Sequence, residues 1–185
     1  MEATHVEHTT RTGLGAARVT TAMGPVEAEQ FLFREARLLD DGDRRSWQAL
    51  TTDDVVYWVP VNDAESLPDE HLSIVFDDRR RLDTRIWRVA ESGLNHAQDP
   101  QSSTVRFISN VEVEGADAAD EVVVRCNMLL YEYRSGGQRR NIAPNAHPAR
   151  CEYRLRHGSD GWKIAYKKVT FLMLDAPLPS MNFLI

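Results

Sequence analysis

The side chains able to bind a metal or attack a substrate are few and scattered in this sequence. Cys126 is followed by Asn127, Met128 and Leu129, and no second ligand stands at the close spacing that an iron–sulfur cluster needs. Cys126 and Cys151 both fall mid-strand among apolar residues. A reactive thiol needs a basic, open setting, so both read as structural thiols. Of the six histidines, His5 and His8 lie in a Thr-, Ala- and Gly-rich opening stretch, and His71, His96 and His147 fall in three separate loops. A two-histidine, one-carboxylate iron site is geometrically open to these three, but nothing in their spacing selects it over ordinary loop histidines. The expectation is a chain with no metal or cofactor of its own. The glycines of "TGLGAA" are followed by no Lys-Ser/Thr pattern, and no Ser nucleophile elbow is visible. One acid–base option survives. A strongly curved sheet backed by helices makes a cone whose interior hosts such chemistry, and Tyr57, Asp54 and His147 could supply a donor, a base and an oxyanion partner. That set would serve a stand-alone isomerase or dehydratase, and it is kept as the alternative reading.

The totals narrow the partners. At 185 residues one domain is the default, large enough to bury a core without a staple. A formal net charge of -6 argues against nucleic acid or an anionic membrane surface. Only Lys163, Lys167 and Lys168 among the 22 basic residues are lysine, so most of the cationic groups are forked guanidiniums suited to protein interfaces. No signal peptide or bilayer-spanning stretch is visible, and two free thiols fit a reducing cytoplasm.

The elements that must position these residues follow from periodicity. Residues 1–24 read as a flexible N-terminal arm, and residues 25–185 as a single domain. From Pro25, Ala28, Phe31, Leu32, Ala36 and Leu39 recur at helical spacing, with Gly42 just past the end. A short helix is expected over Arg44 to Leu50, and a strand over Asp53 to Val61, whose Pro60 marks a sheet edge or a strand end. "FDDRRRLDTRIWRVAESG" reads as a helix capped by Asp77 or Asp78 and ended by Gly93, with Leu82, Ile86 and Val89 as its apolar stripe. Arg81, Arg85 and Arg88 fall on an adjacent stripe with Trp87 nearby, either a solvated face or a docking patch.

The period then switches to two. "TVRFISNVEVEG" alternates Val105, Phe107, Ser109, Val111 and Val113 against Arg106, Asn110, Glu112 and Glu114. "DEVVVRCNMLLYEY", "RCEYRLRHG" and Trp162 to Leu174 supply further strands, and "AQDPQSS" and "RSGGQRRNIAPNAHP" are the expected long loops. Helices followed by long strands imply an α+β fold with an antiparallel sheet. The closing "LDAPLPSMNFLI" cannot continue a ladder, because Pro177 and Pro179 lack the donor N–H. Phe183, Leu184 and Ile185 are therefore expected to dock, either on the chain's own cone or on a neighbouring subunit.

Taken in order, "EAEQFLFREARLLDDG", "YWVPV", "DDRRRLDTRIWRV", the Asp99, Pro100, Ser102 pattern, "RFISNVEV" and "KKVTFLMLDAPLPSMNFLI" resemble the small (beta) subunit of aromatic-ring-hydroxylating dioxygenases. The sequence departs from that family's patterns at His96 and Ser103. The resemblance implies a cone-shaped, NTF2-like (cystatin-like) α+β fold with a curved mixed or antiparallel sheet wrapped around N-terminal helices. It implies an α3β3 terminal oxygenase, in which a trimer of beta subunits meets catalytic alpha subunits carrying a Rieske [2Fe-2S] cluster and a mononuclear Fe(II). Electrons would arrive from NADH through a reductase and often a ferredoxin. This chain would then be the structural, non-iron subunit of an enzyme that adds O2 to an aromatic ring to give a cis-dihydrodiol. Arg81, Arg85, Trp87, Arg88, Phe183, Leu184 and Ile185 are its candidate interface residues.

Overall fold

A computed structural model describes residues 23–61, 72–90, 101–115, 120–134, 143–173 and 183–185. Most of the expected arm, the apex of each expected long loop, His71, His96, Gly93, Pro177 and Pro179 lie outside the described residues. The elements run α1 (Pro25–Asp40), α2 (Arg44–Ala49), β1 (Thr51–Pro60), β2 (Ser73–Asp77), α3 (Arg79–Ala90), β3 (Ser103–Gly115), β4 (Glu121–Tyr133), β5 (Asn145–Gly158) and β6 (Gly161–Phe171). The strands form one curved, unclosed sheet in the order β2-β1-β6-β5-β4-β3. Every neighbouring pair is antiparallel except β1 with β6.

Local chemistry explains the boundaries. Pro25 opens α1 where no intrahelical N–H is needed, and Gly42, at φ +71, turns the chain after it. Asp43 caps α2 by accepting from the Ser46 N–H at 3.1 Å. Gly161, at φ +94, closes the tight turn between β5 and β6. The buried faces of α1, α2 and α3 meet the inward side chains of the sheet in one core that includes Leu32, Trp47, Leu82, Val124, Tyr153 and Phe171.

Three expectations need correction, and one open choice is settled. A strand, β2, precedes α3, so Asp77 ends that strand and Asp78 alone caps the helix, accepting from Arg81 N–H at 2.8 Å. Of the two readings of Pro60 the strand end holds, since it is the last residue of β1, which lies between β2 and β6. His147 sits in β5 and not in a loop, because pairing with β4 begins at Asn145. Finally, Val105 to Val113 do not share one face. A bulge between Ser109 and Glu112, with Asn110 at φ +54, inserts an extra residue and flips the alternation. Arg106 and Ile108 therefore point into the cone before it, while Val105 and Phe107 are 48% and 58% exposed.

Candidate functional site

The interior holds a charged pair that the apolar patterns hide. Ala28, Leu32, Glu35 and Leu39 make the buried ridge of α1, so Glu35 occupies a core position. Lys167 shares the inward row of β6 with Val169 and Phe171. Lys167 Nζ lies 2.7 Å from Glu35 Oε1, and the two side chains are 1% and 2% exposed. Trp47 Nε1 donates to the same oxygen at 3.0 Å, and the Tyr153 hydroxyl donates to Oε2 at 2.9 Å. The rings of Trp47, Tyr57 and Tyr153 surround the ammonium, with centroids 5.8, 5.9 and 5.5 Å away. Burial, reinforced by the Glu35 carboxylate, pushes the Tyr153 phenol well above its ordinary pKa. Both oxygens of Glu35 are engaged, and the pair is shielded from water. The arrangement locks α1 and α2 to the sheet and commits the Glu35 carboxylate to the fold.

The end of the chain seals the same cone. Leu184 and Ile185 are 4% and 2% exposed, and Phe183 packs partly buried beside them. The Tyr57 hydroxyl donates to the Ile185 carbonyl and accepts from the Ile185 N–H, both at 3.0 Å. Burial raises the Tyr57 pKa and keeps the phenol neutral. From the opposite edge of the sheet, Arg106 Nη2 donates to the Leu184 carbonyl at 2.5 Å. Arg106 is itself held by Asp40, at the end of α1, through its backbone N–H at 2.9 Å and through a guanidinium ion pair. The tail thus ties β1 to β3 and docks Leu184 and Ile185 within their own chain.

The residues of the alternative acid–base set are not brought together. Asp54 and Tyr57 are three apart on β1, and an odd spacing puts them on opposite faces. Asp54 lies outside, where Arg156 Nη1 contacts both of its carboxylate oxygens at 2.9 Å and holds its pKa below the ordinary value. Tyr57 is fully committed to Ile185. His147 is buried beside Phe171 and Phe183, 3.9 Å from Glu132, with no hydrogen bond to Nε2 among the described residues. Burial keeps its pKa below 6.5 against the opposing pull of Glu132. Glu132 is in turn held by Ser102 at 2.6 Å and Asn145 at 3.1 Å. Cys126 and Cys151 face each other across β4 and β5 and are both buried. The hydrogen bond between them, followed by burial, pushes the Cys126 thiol far above its ordinary pKa, away from a nucleophilic thiolate. No group of three or more His, Cys, Asp or Glu among the described residues is placed to hold a metal ion.

The outer surface is different. Leu82 and Ile86 bury one side of α3, and Arg80, Arg81, Thr84, Trp87 and Arg88 form its exposed side. These residues, Trp87 apart, line a cleft of about 420 Å³ with Asp77, Asp78 and Arg85. Arg85 grips the buried Asp77 carboxylate with Nε at 2.5 Å and Nη2 at 3.1 Å. Arg81 donates to the Phe76 carbonyl at 3.1 Å. Trp87 is 53% exposed. On the other edge of the sheet, Val105, Phe107, Tyr131 and Tyr133 make an exposed apolar patch on β3 and β4, with the Phe107 and Tyr131 rings packed edge-on at 6.2 Å.

Residues 34–175 match the family model for the ring hydroxylating beta subunit. The chain belongs to that family. The small oxygenase component of a p-cumate 2,3-dioxygenase system from Pseudomonas putida is 33% identical over 155 residues, covering 83% of this chain and 81% of that protein. A benzene 1,2-dioxygenase beta subunit, also from Pseudomonas putida, is 30% identical over 115 residues, covering 58% of this chain and 62% of that protein. Among solved structures, the benzoate 1,2-dioxygenase beta subunit of Burkholderia mallei superposes with a TM-score of 0.68 at 27% identity, over 88% of this chain and 99% of that one. An NTF2-like protein with a cystatin-like fold from Novosphingobium aromaticivorans shares the fold at a TM-score of 0.54 and 16% identity, over 80% of this chain and 84% of that one. The fold is thus the NTF2-like α+β cone, here in a beta subunit of a ring-hydroxylating dioxygenase. No helix among the described residues is long and apolar enough to cross a membrane.

Proposed function

We propose that this chain is the structural, non-iron beta subunit of a cytoplasmic α3β3 oxygenase that inserts both atoms of O2 into an aromatic ring during catabolism, giving a cis-dihydrodiol. The observation that carries this reading is the family match over residues 34–175. The sealed interior supports it, since Glu35, Lys167, Tyr57 and Tyr153 engage one another and the chain's own tail. The partner alpha subunit supplies the oxygen chemistry through a Rieske [2Fe-2S] cluster and a mononuclear Fe(II), fed by a ferredoxin and reductase. The described residues of this chain offer no ligand set for either group. Its own work is to hold partner subunits in place, with Arg81, Arg85, Trp87, Arg88 and Phe183 at or beside contacts and Leu184 and Ile185 shaping the end of the cone that carries them. Co-expression with a large oxygenase subunit tests the reading. Both chains should purify together in equal amounts, with iron only when the large subunit is present. Stoichiometric iron in the isolated chain, or turnover of a small substrate without partners, would overturn it.

A further inference from the structure

The exposed side of α3 contradicts the local rules of its own helix. The first turn of a helix favours acids, because its free N–H groups carry partial positive charge. Here that turn is Arg79, Arg80 and Arg81, with no acidic residue. Arg79 has a structural use, reaching Thr51, the Thr52 carbonyl and Asp83 at 3.1, 3.3 and 2.9 Å. Arg80 and Arg81 project outward instead, and the Arg81 guanidinium bonds only a neutral carbonyl among the described residues. Both carboxylates of the cleft are already engaged, Asp77 by Arg85 and Asp78 as the helix cap. A sequence that breaks a local rule without a structural return marks a functional position.

We propose that the cleft of α3 is the receptor for a carboxylate-bearing segment of the oxygenase large subunit. Arg80 and Arg81 take the carboxylates, Trp87 forms the apolar rim, and Arg85 acts as a positioning residue that fixes the cleft wall through Asp77. This assignment rests on the beta-subunit reading and names the chemistry of its contact. Forked guanidiniums beside an exposed indole match a partner that presents carboxylates on an apolar surface. Against a second copy of this chain as the occupant, four carboxylates of its sheet are already bound to its own arginines. Glu114 and Glu152 hold Arg125, while Asp54 and Glu121 hold Arg156.

The test is the double variant Arg80→Glu/Arg81→Glu, measured for binding to the purified large subunit at 50 and 500 mM salt. Wild-type affinity should fall about tenfold or more across that range, since the contact is screened by salt. The variant should lose about tenfold or more at low salt and show little further salt dependence, while Arg80→Lys/Arg81→Lys keeps the salt dependence with a smaller loss. The isolated Glu variant should melt no lower than wild type, because acids suit that turn. Wild-type affinity and salt slope in the Glu variant would overturn the assignment while leaving the beta-subunit reading intact. Large-subunit binding unchanged while self-association of the chain is lost would overturn it in favour of a second copy. No large-subunit binding by wild type at either salt would overturn both.

Discussion

Polar groups inside the cone and on α3 are treated in opposite ways. Inside, Glu35 accepts from Lys167, Trp47 and Tyr153, and the Tyr57 hydroxyl both donates to and accepts from Ile185. On α3, three arginines stand where a helix favours acids, two of them exposed, beside a tryptophan that is 53% exposed. Buried polar groups are tolerable only when satisfied, so the interior reports on stability. Exposed forked cations beside an indole do little for the isolated fold, which is why α3 is the proposed surface of association. In this beta subunit the cone serves as a scaffold core, and the proposed recognition surface lies on its outside.

The sharpest way to break the contrast is to delete Phe183 to Ile185. Two fully buried side chains contribute roughly 1.5–3 kcal/mol each. The Tyr57 hydroxyl and Arg106 also lose their backbone partners, so the isolated chain should lose about 4–9 kcal/mol in denaturant unfolding. Unchanged unfolding would remove the tail from the core. Next comes Lys167→Ala, which leaves the Glu35 carboxylate buried without its cation and should cost about 3–5 kcal/mol. Glu35→Gln/Lys167→Met removes the charges together while keeping an acceptor for Trp47 and Tyr153, so it should unfold later than Lys167→Ala; the reverse order would mean that the uncompensated carboxylate is not what destabilises Lys167→Ala.

A smaller effect concerns pH. His147 titrates below its ordinary 6.5 in the fold, because burial disfavours its charged form. The unfolded chain then takes up a proton that the folded chain refuses, so this residue's contribution is present above pH 6.5 and is lost as pH falls toward the folded value. Stability measured from pH 7 to 5 should fall more steeply in wild type than in His147→Gln, and parallel profiles would exclude this origin. Smallest is Trp87→Ala, expected to change the isolated chain's stability by less than about 0.5 kcal/mol while weakening assembly with the large subunit. A drop in melting temperature matching the drop in assembly would place Trp87 in the core instead.

The helices and long strands were legible because their apolar spacing is regular, as in Leu82 and Ile86 on α3. The bulge at Asn110 was not, since alternation continues through Val111 and Val113 and only pairing with β4 reveals the inserted residue. β2 is too short to show a period beside the charged run that follows it. Glu35 was readable in principle, as a carboxylate at the core spacing of α1. Its meaning needed Lys167 from the far end of the chain. The odd spacing of Asp54 and Tyr57 already argued against the acid–base set, and their opposite burial on β1 bears that out. The direction taken by Leu184 and Ile185 depended on Tyr57 and Arg106, which no local pattern links to them.

The parallel pairing of β1 with β6 has a consequence for how the chain acquires its shape. The Thr52 hydroxyl reaches the Ile164 carbonyl across 112 residues, whereas β3 to β6 pair with their neighbours in sequence order. Closing the longer loop carries the larger entropy, so the β3–β6 meander should form first and β1 should dock late. Core substitutions in β1, such as Val55→Ala, should then accelerate unfolding and leave the refolding rate nearly unchanged, whereas Val124→Ala on β4 should slow refolding.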